Sequence, residues 1–459
     1  MFSIQTPRPY QVFQRNQRGR AAIPVALAGR PRQAQVRLLS RQGEVTPWQP
    51  LAAAGTGRLS APVGGPYTLE VQAAGTGPTH TRRVRGLLVG DLWITAGQSN
   101  MDGVGQLSDR EPPSPLVHAF YFDDRWAVAE EPLCWYQEAV DPVHWGVEET
   151  SLAEAARSDR LFRTWGVGPA VAFGKALAQA TGIPVGLVVC SHGGTSMEQW
   201  SPAQRGQGGK SFYGSLLRRV AAVGGRVQGI IWYQGESDAN AEAAPRYRQR
   251  MRELVAALRQ DLAPARLPFL YVQIASIFGG DPAQSGPWDQ IRHQQLELEQ
   301  SGELAPAAQV PALDSTLCDA VHVDARSQRR LGRRLAVAAL RLAFGRQETT
   351  CGPRRAQIRR LDGRTLRVSF REANGHLATR GRVWGFALTA QGQPVAIADC
   401  RVERADRSAV LIRLPEPVPG ELELCYGQGF VSLGNLHDRA GWPAPAFGPV
   451  TVPAAPGGY

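Results

Sequence analysis

Leu92-Trp93-Ile94-Thr95-Ala96 runs without a break into Gly97-Gln98-Ser99-Asn100-Met101-Asp102-Gly103. The first five residues read as a buried strand, and the glycine that follows permits a sharp turn. A serine at that turn stands at the carboxyl edge of a sheet with its backbone N–H near a helix start, which is where a nucleophile would be held. Taken by itself the string also fits a helix N-cap, so its meaning depends on what other strands bring to the same edge.

Working outward, Pro184 to Cys190, Gln228 to Tyr233, Pro268 to Ile274 and Gln309 to Leu313 read as further strands. Between them Gly168 to Ala180, Ala244 to Leu262, Trp288 to Gln300 and Ser327 to Ala343 carry apolar residues at helical spacing. Strands alternating with helices predict a parallel sheet covered on both faces, hence an α/β fold. Three of these strands end in polar loops. Ser191-His192-Gly193-Gly194-Thr195-Ser196-Met197-Glu198-Gln199-Trp200 follows the second; its paired glycines allow close approach of backbone N–H groups to a developing oxyanion, or form a plain turn. Gln234-Gly235-Glu236-Ser237-Asp238 follows the third, where the Gln234 amide is a candidate oxyanion donor or a tie between loops. Beyond the last strand, Asp319-Ala320-Val321-His322 places an aspartate three residues before a histidine, the spacing at which a carboxylate can accept the Nδ1 proton and aim Nε2 at a serine.

Asp102 to Trp165 fits neither period. It is long and polar and carries Trp126, Trp135, Trp145 and Trp165, so it reads as an excursion at the strand's carboxyl end, where α/β folds keep substrate contacts. On either side of the alternating region the pattern is β-rich. Residues 1–90 form an expected N-terminal β-rich domain, 91–346 the catalytic domain, and 347–459 a C-terminal β-sandwich-like domain, with turns at Asp362-Gly363 and Asn374-Gly375.

The totals narrow the function. A chain of 459 residues with 43% hydrophobic and 20% charged residues is globular, and no run approaches the ~18 apolar residues of a membrane span. The net charge of +11 invites a nucleic-acid partner, but every basic residue except Lys175 and Lys210 is arginine, and these are scattered along the chain rather than gathered in a stripe. Neither nucleic acid nor membrane is expected as a partner. Six cysteines without a CxxC pair, and no clustered histidines, imply no metal. Cys400 and Cys425 lie in one β region and read as a disulfide or as buried thiols. The apolar run Ala21 to Ala28 is short and broken by Pro24, a poor signal peptide, consistent with a cytoplasmic protein or with a leader not included here.

The order of GQSNM, a Gly-Gly loop, QGES and DxxH resembles the SGNH hydrolases, in particular the sialate O-acetylesterase and carbohydrate acetylesterase branch. The resemblance extends to Gly64 to Leu69 and Leu88 to Trp93, to Trp165 through Trp200, and to Asn435-Leu436 with Pro443 to Phe447. It implies a flavodoxin-like three-layer SGNH-hydrolase domain with a parallel sheet, flanked by N- and C-terminal β-rich domains. It also implies Ser99 as nucleophile, His322 as base and Asp319 as its partner. Oxyanion donors would be the N–H groups of Ser99 and of Gly193 or Gly194, together with the Gln234 side chain. Val323 stands where the sialate esterases are expected to carry proline, which leaves Asp324 and Asp314 as other partners for the histidine. Asn100, Glu236, Trp165 and Trp200 are supporting or substrate-facing candidates, Glu236 by holding Gln234 in place.

The expected activity is serine-esterase removal of O-acetyl groups from carbohydrate, through an acetyl-enzyme and without a cofactor. The alternatives are an esterase acting on acetylated xylan or simple acyl esters, and a non-catalytic carbohydrate-binding protein. An arginine clamp, from Arg110, Arg163 or Arg205, would favour anionic sialate. Gln234→Ala is expected to slow turnover without unfolding the chain.

Overall fold

Six strands carry the centre of the computed structural model, which describes residues 2–29, 33–74, 79–262, 266–279 and 285–454. They are β1 (His80–Gly97), β2 (Val117–Phe120), β3 (Val185–Val189), β4 (Gly229–Tyr233), β5 (Phe269–Gln273) and β6 (Ala307–Pro311). They lie in the order β2-β3-β1-β4-β5-β6, every neighbouring pair parallel, with Trp126–Val128 added antiparallel outside β2. All five residues of β3, β4 and β5 are buried, as expected of parallel strands covered on both faces, and this is why they read as continuous apolar runs.

The principal helices are α1 (Leu152–Phe162), α2 (Pro169–Thr181), α3 (Phe212–Ala222), α4 (Tyr247–Asp261), α5 (Gly286–Gln300) and α6 (Ala325–Phe344). Asp324 caps α6 by accepting the Ser327 N–H at 2.7 Å, and Gly345 ends it in the left-handed conformation at φ 69°. Three elements were not anticipated. β2 is only four residues long, too short for a period to show. α1 buries none of its residues and lies inside the polar excursion. α3 follows the glycine-rich stretch Gly206 to Gly209 and is started by Ser211, whose Oγ accepts the Gly214 N–H at 3.1 Å.

β1 is a single strand of 18 residues. Its first half pairs antiparallel with Gly64–Ala74, and its second half lies between β3 and β4. The N-terminal strands bury their own cluster around Ile23, Leu38, Leu59 and Leu69. At the junction the buried Asp91 carboxylate accepts two hydrogen bonds from Arg15, at 2.8 and 3.0 Å. Beyond α6, two four-stranded antiparallel sheets share a core containing Leu366, Val368, Leu424 and Tyr426. They are tied to α5 by the buried Arg292, which donates to the carbonyls of Gly427 and Gly429, and by Arg354 paired with Glu299. All six cysteines, Cys400 and Cys425 included, are free thiols. Among the described residues no helix is long and apolar enough to cross a membrane, and no cluster of three or more His, Cys, Asp or Glu stands where it could hold a metal.

Candidate active site

At the end of β1 the backbone of Gly97 adopts φ 125°, and a Cβ there would lie 2.2 Å from the Tyr233 carbonyl oxygen, so no other residue fits. The Gln98 N–H donates to that same carbonyl at 2.8 Å. The chain then turns into a one-turn helix, Ser99–Asp102, which leaves the Ser99 Oγ in the cleft and its N–H without an intrahelical acceptor.

The loop between β6 and α6 brings the histidine to this serine. It is closed by a bridge between Leu317 and Val323 and by the Cys318 N–H donating to the His322 carbonyl at 2.8 Å. Asp319 organises it: Oδ1 accepts the N–H groups of Val321 and His322, each at 2.8 Å, while Oδ2 lies 2.6 Å from His322 Nδ1. With the Nδ1 proton given to Asp319, Nε2 carries a lone pair, and it stands 2.9 Å from Ser99 Oγ. Burial works to raise the Asp319 carboxyl, but the hydrogen bonds from the His322 ring and the two N–H groups outweigh it and hold the group below the usual range. The other two carboxylates considered as partners are occupied elsewhere: Asp324 caps α6, and Asp314 is paired with Arg334 at 2.7 Å.

Asn100 latches the serine loop to the histidine loop. Its Nδ2 donates to Glu236 Oε1 at 2.7 Å and to the Val321 carbonyl at 3.3 Å, and its Oδ1 accepts the Val323 N–H at 2.9 Å. It is buried, as a supporting residue would be, and is not open to a substrate. Burial raises the Glu236 carboxyl above the usual range, opposed by the Asn100 bond. Glu236 therefore braces Asn100 and not, as expected, Gln234.

The second loop supplies the opposite wall. A Cβ placed on Gly193 would be 3.6 Å from Ser99 Cβ, so the backbone of this loop reaches the serine closely. Gly194 has φ 71° and lies exposed, and its N–H donates to no group among the described residues. The Gly193 N–H is already bound: it donates to the Tyr136 hydroxyl at 2.8 Å, which in turn donates to Asp102. Asp102 is buried between Tyr136 and Cys134, and burial pushes its carboxyl up to about 6 against hydrogen bonds from Ser191, Tyr136 and Cys134.

Two further expectations are corrected. Both N–H groups of the Gln234 amide are consumed, by Asp238 Oδ2 at 2.6 Å and the Thr195 carbonyl at 3.2 Å, in a wholly buried setting. Gln234 thus ties the second and third loops together and does not face an oxyanion at Ser99. Trp200 is also wholly buried, packed against Phe212 and Trp232, and donates to Thr195 Oγ1 at 2.9 Å, so it supports the loop from behind and does not meet a sugar. Trp165 is 43% exposed and remains open to a ligand; its strand pairs with Gly105–Gln106, and Gly105 packs on Ala325, three residues after His322.

What sequence reading missed lies in the excursion. Cys134, Tyr136, Asp141 and His144 all reach the back of the second loop, through Asp102 or through the ring of His192. No period or spacing marked them; the tryptophans drew attention instead, and Trp126 proves buried while the Trp145 indole donates to the Ala139 carbonyl at 2.8 Å.

Residues 89–341 match the family profile described as carbohydrate esterase, sialic acid-specific acetylesterase. A probable carbohydrate esterase of Arabidopsis thaliana is 29% identical over 271 residues, covering 54% of this chain and 90% of that protein. The human sialate O-acetylesterase is 25% identical over 323 residues, covering 62% of this chain and 60% of that protein. The crystal structure of a carbohydrate acetylesterase from Xanthomonas citri superposes with a TM-score of 0.67, covering 96% of this chain and 97% of that one at 23% identity, a likeness of fold.

Proposed function

Because the chain belongs to the family of carbohydrate esterases described as sialic acid-specific acetylesterases, we propose that it removes O-acetyl groups from carbohydrate with Ser99 as nucleophile, His322 as general base and Asp319 as the group that orients His322. The observation that carries this reading is the alignment of Ser99 Oγ, His322 and Asp319 at 2.9 and 2.6 Å. His322 takes the Ser99 proton as the oxygen attacks the acetyl carbonyl. The tetrahedral oxyanion is met by the N–H groups of Ser99 and Gly194, both without acceptors among the described residues, and the sugar hydroxyl leaves with the proton from His322. Water, activated by the same histidine, then releases acetate. Gly193 holds the loop in place through Tyr136, and Asn100 keeps serine and histidine in register.

We divide the chain into a β-rich domain over 1–90, a catalytic domain over 91–346 and a β-sandwich-like domain over 347–459. Three separate buried clusters support the division. The strand order, read without β2 and the antiparallel strand outside it, supports a flavodoxin-like three-layer arrangement, whose ligands bind outside the carboxyl ends of the strands where Ser99 stands.

The family and the human relative favour sialate as the sugar. One observation favours a neutral acetylated polysaccharide instead: each arginine considered as a clamp has another partner. Arg163 donates to the Cys134 carbonyl at 2.6 Å, Arg205 pairs with Asp261 at 2.7 Å, and Arg110 lies 3.5 Å from Glu130. The deciding experiment is hydrolysis of p-nitrophenyl acetate by the wild type beside Ser99→Ala, followed by acetate release from O-acetylated sialic acid and from acetylated xylan. Activity lost in the variant supports the serine esterase, and the two sugars rank its substrate. Activity that survives Ser99→Ala, or that is absent from a folded wild type on every ester, favours a non-catalytic carbohydrate-binding protein.

A further inference from the structure

We propose that His192 determines specificity at this site: its Nε2 accepts a hydrogen bond from the sugar hydroxyl beside the acetyl ester. The inference rests on the deacetylation reading above and concerns a residue that reading leaves without a role.

A buried chain of hydrogen bonds fixes the tautomer. Asp141 is 4% exposed and ion-paired with Arg218, so it only accepts. Ser215 Oγ donates to Asp141 Oδ2 at 2.6 Å, and its oxygen is then the acceptor for His144 Nε2, 3.2 Å away. His144 therefore carries its proton on Nε2 and presents a bare Nδ1. The nitrogen facing that lone pair is His192 Nδ1, at 3.2 Å, and it must be the donor. With the proton on Nδ1, His192 Nε2 is left as an acceptor.

Geometry places that acceptor usefully. The ring is held between Tyr136 and Phe212, with centroid separations of 4.1 and 4.9 Å. His192 immediately precedes Gly193, the residue whose backbone approaches Ser99. Its Nε2 binds nothing among the described residues, yet it is not one of the buried polar atoms left without a partner, so it reaches solvent. Burial pushes the His192 imidazole down to about 4 and that of His144 well below the usual range, so both stay neutral under ordinary conditions. A neutral acceptor on the residue next to Gly193, whose backbone meets Ser99, suits a hydroxyl and gives nothing to a carboxylate.

The test compares kcat/KM for methyl 3-O-acetyl-β-D-xylopyranoside and for 9-O-acetyl-N-acetylneuraminic acid, each beside analogues lacking an adjoining hydroxyl. On the sugar it prefers, the wild type should favour the hydroxylated ester by roughly three- to tenfold, the strength of one hydrogen bond. In His192→Phe, which keeps an aromatic ring between Tyr136 and Phe212, that ratio should fall to about one. A wild-type ratio of one, or a His192→Phe ratio equal to the wild type's, overturns the proposal. Should the variant not fold, nitrogen–proton correlation spectra of the wild type decide: a proton on His192 Nδ1 supports the assignment, and a proton on Nε2 overturns it. Cleavage of p-nitrophenyl acetate with neither sugar ester turned over would overturn the deacetylation reading itself, whereas turnover without hydroxyl preference overturns only the role of His192.

Discussion

The two walls of the cleft are held by opposite means. On the wall that carries His322, the organising carboxylate is half open to solvent: the Asp319 side chain is 48% exposed and that of His322 23%, and the bonds between them span three residues. On the wall that carries Gly193, the carboxylates are sealed. Asp102 and Asp141 are 5% and 4% exposed, and the groups that link them to the loop come from an excursion dozens of residues away in sequence. In the proposed mechanism the first wall exchanges protons with substrate and water and so must be reachable. The second only has to stay still, because backbone donors stabilise an oxyanion when they are already in place before charge develops.

If the walls divide the work in this way, the largest effects belong to the reachable one. Ser99→Ala should lower kcat on p-nitrophenyl acetate by a factor on the order of 10⁴ or more while leaving the far-ultraviolet spectrum unchanged. Asp319→Asn comes next. The amide can still accept from the Val321 and His322 N–H groups, but it no longer offers a charge to the Nδ1 proton, and a loss of roughly 10³- to 10⁴-fold in kcat is expected. A loss below tenfold would show that the loop's geometry, and not the charge, is what Asp319 contributes.

The sealed wall should reveal itself in stability against pH. Burial raises the Asp102 carboxyl to about 6 from an ordinary value of 3.8. Between those values the folded chain holds a proton that the unfolded chain has lost, so stability falls as pH rises from about 4 to about 6 and is flat above. At about 1.4 kcal/mol per unit this group should account for about 3 kcal/mol. Asp102→Asn cannot titrate, so the difference in unfolding free energy between wild type and variant, followed by urea melts from pH 4 to 7, should trace that step. A difference independent of pH would mean that Asp102 reaches water and that this wall is not sealed.

The same contrast explains what could be read from the sequence. Ser99, Asp319 and His322 stand in short strings at strand ends, and strings of that kind keep their meaning whatever surrounds them. The parallel strands were legible for a similar reason, since burial on both faces turns them into unbroken apolar runs. Gln234 was misassigned because its string is right but its amide direction is set by Asp238, four residues on, and by the Thr195 carbonyl across the sheet edge. Tyr136, Asp141 and His144 had no string at all. Each acts through hydrogen bonds to partners that only the finished fold brings near, and polar residues in an irregular loop leave no periodic trace.

Tyr136 is the smallest and most discriminating probe of the sealed wall. Its hydroxyl accepts from the Gly193 N–H and donates to the Asp102 carboxylate, and its ring also lies against His192. Tyr136→Phe keeps the ring and removes the oxygen, leaving the Gly193 N–H without its acceptor and the loop freer to shift. A drop of roughly tenfold in kcat on p-nitrophenyl acetate is expected, corresponding to one lost hydrogen bond of about 1.4 kcal/mol, with KM nearly unchanged because that ester is too small to touch the far side of the loop. If the loop is held by packing alone, kcat will stay within twofold and only the melting temperature will fall. If KM rises while kcat holds, the Gly193 wall contributes binding and not preorganisation, and the division between the two walls must be redrawn.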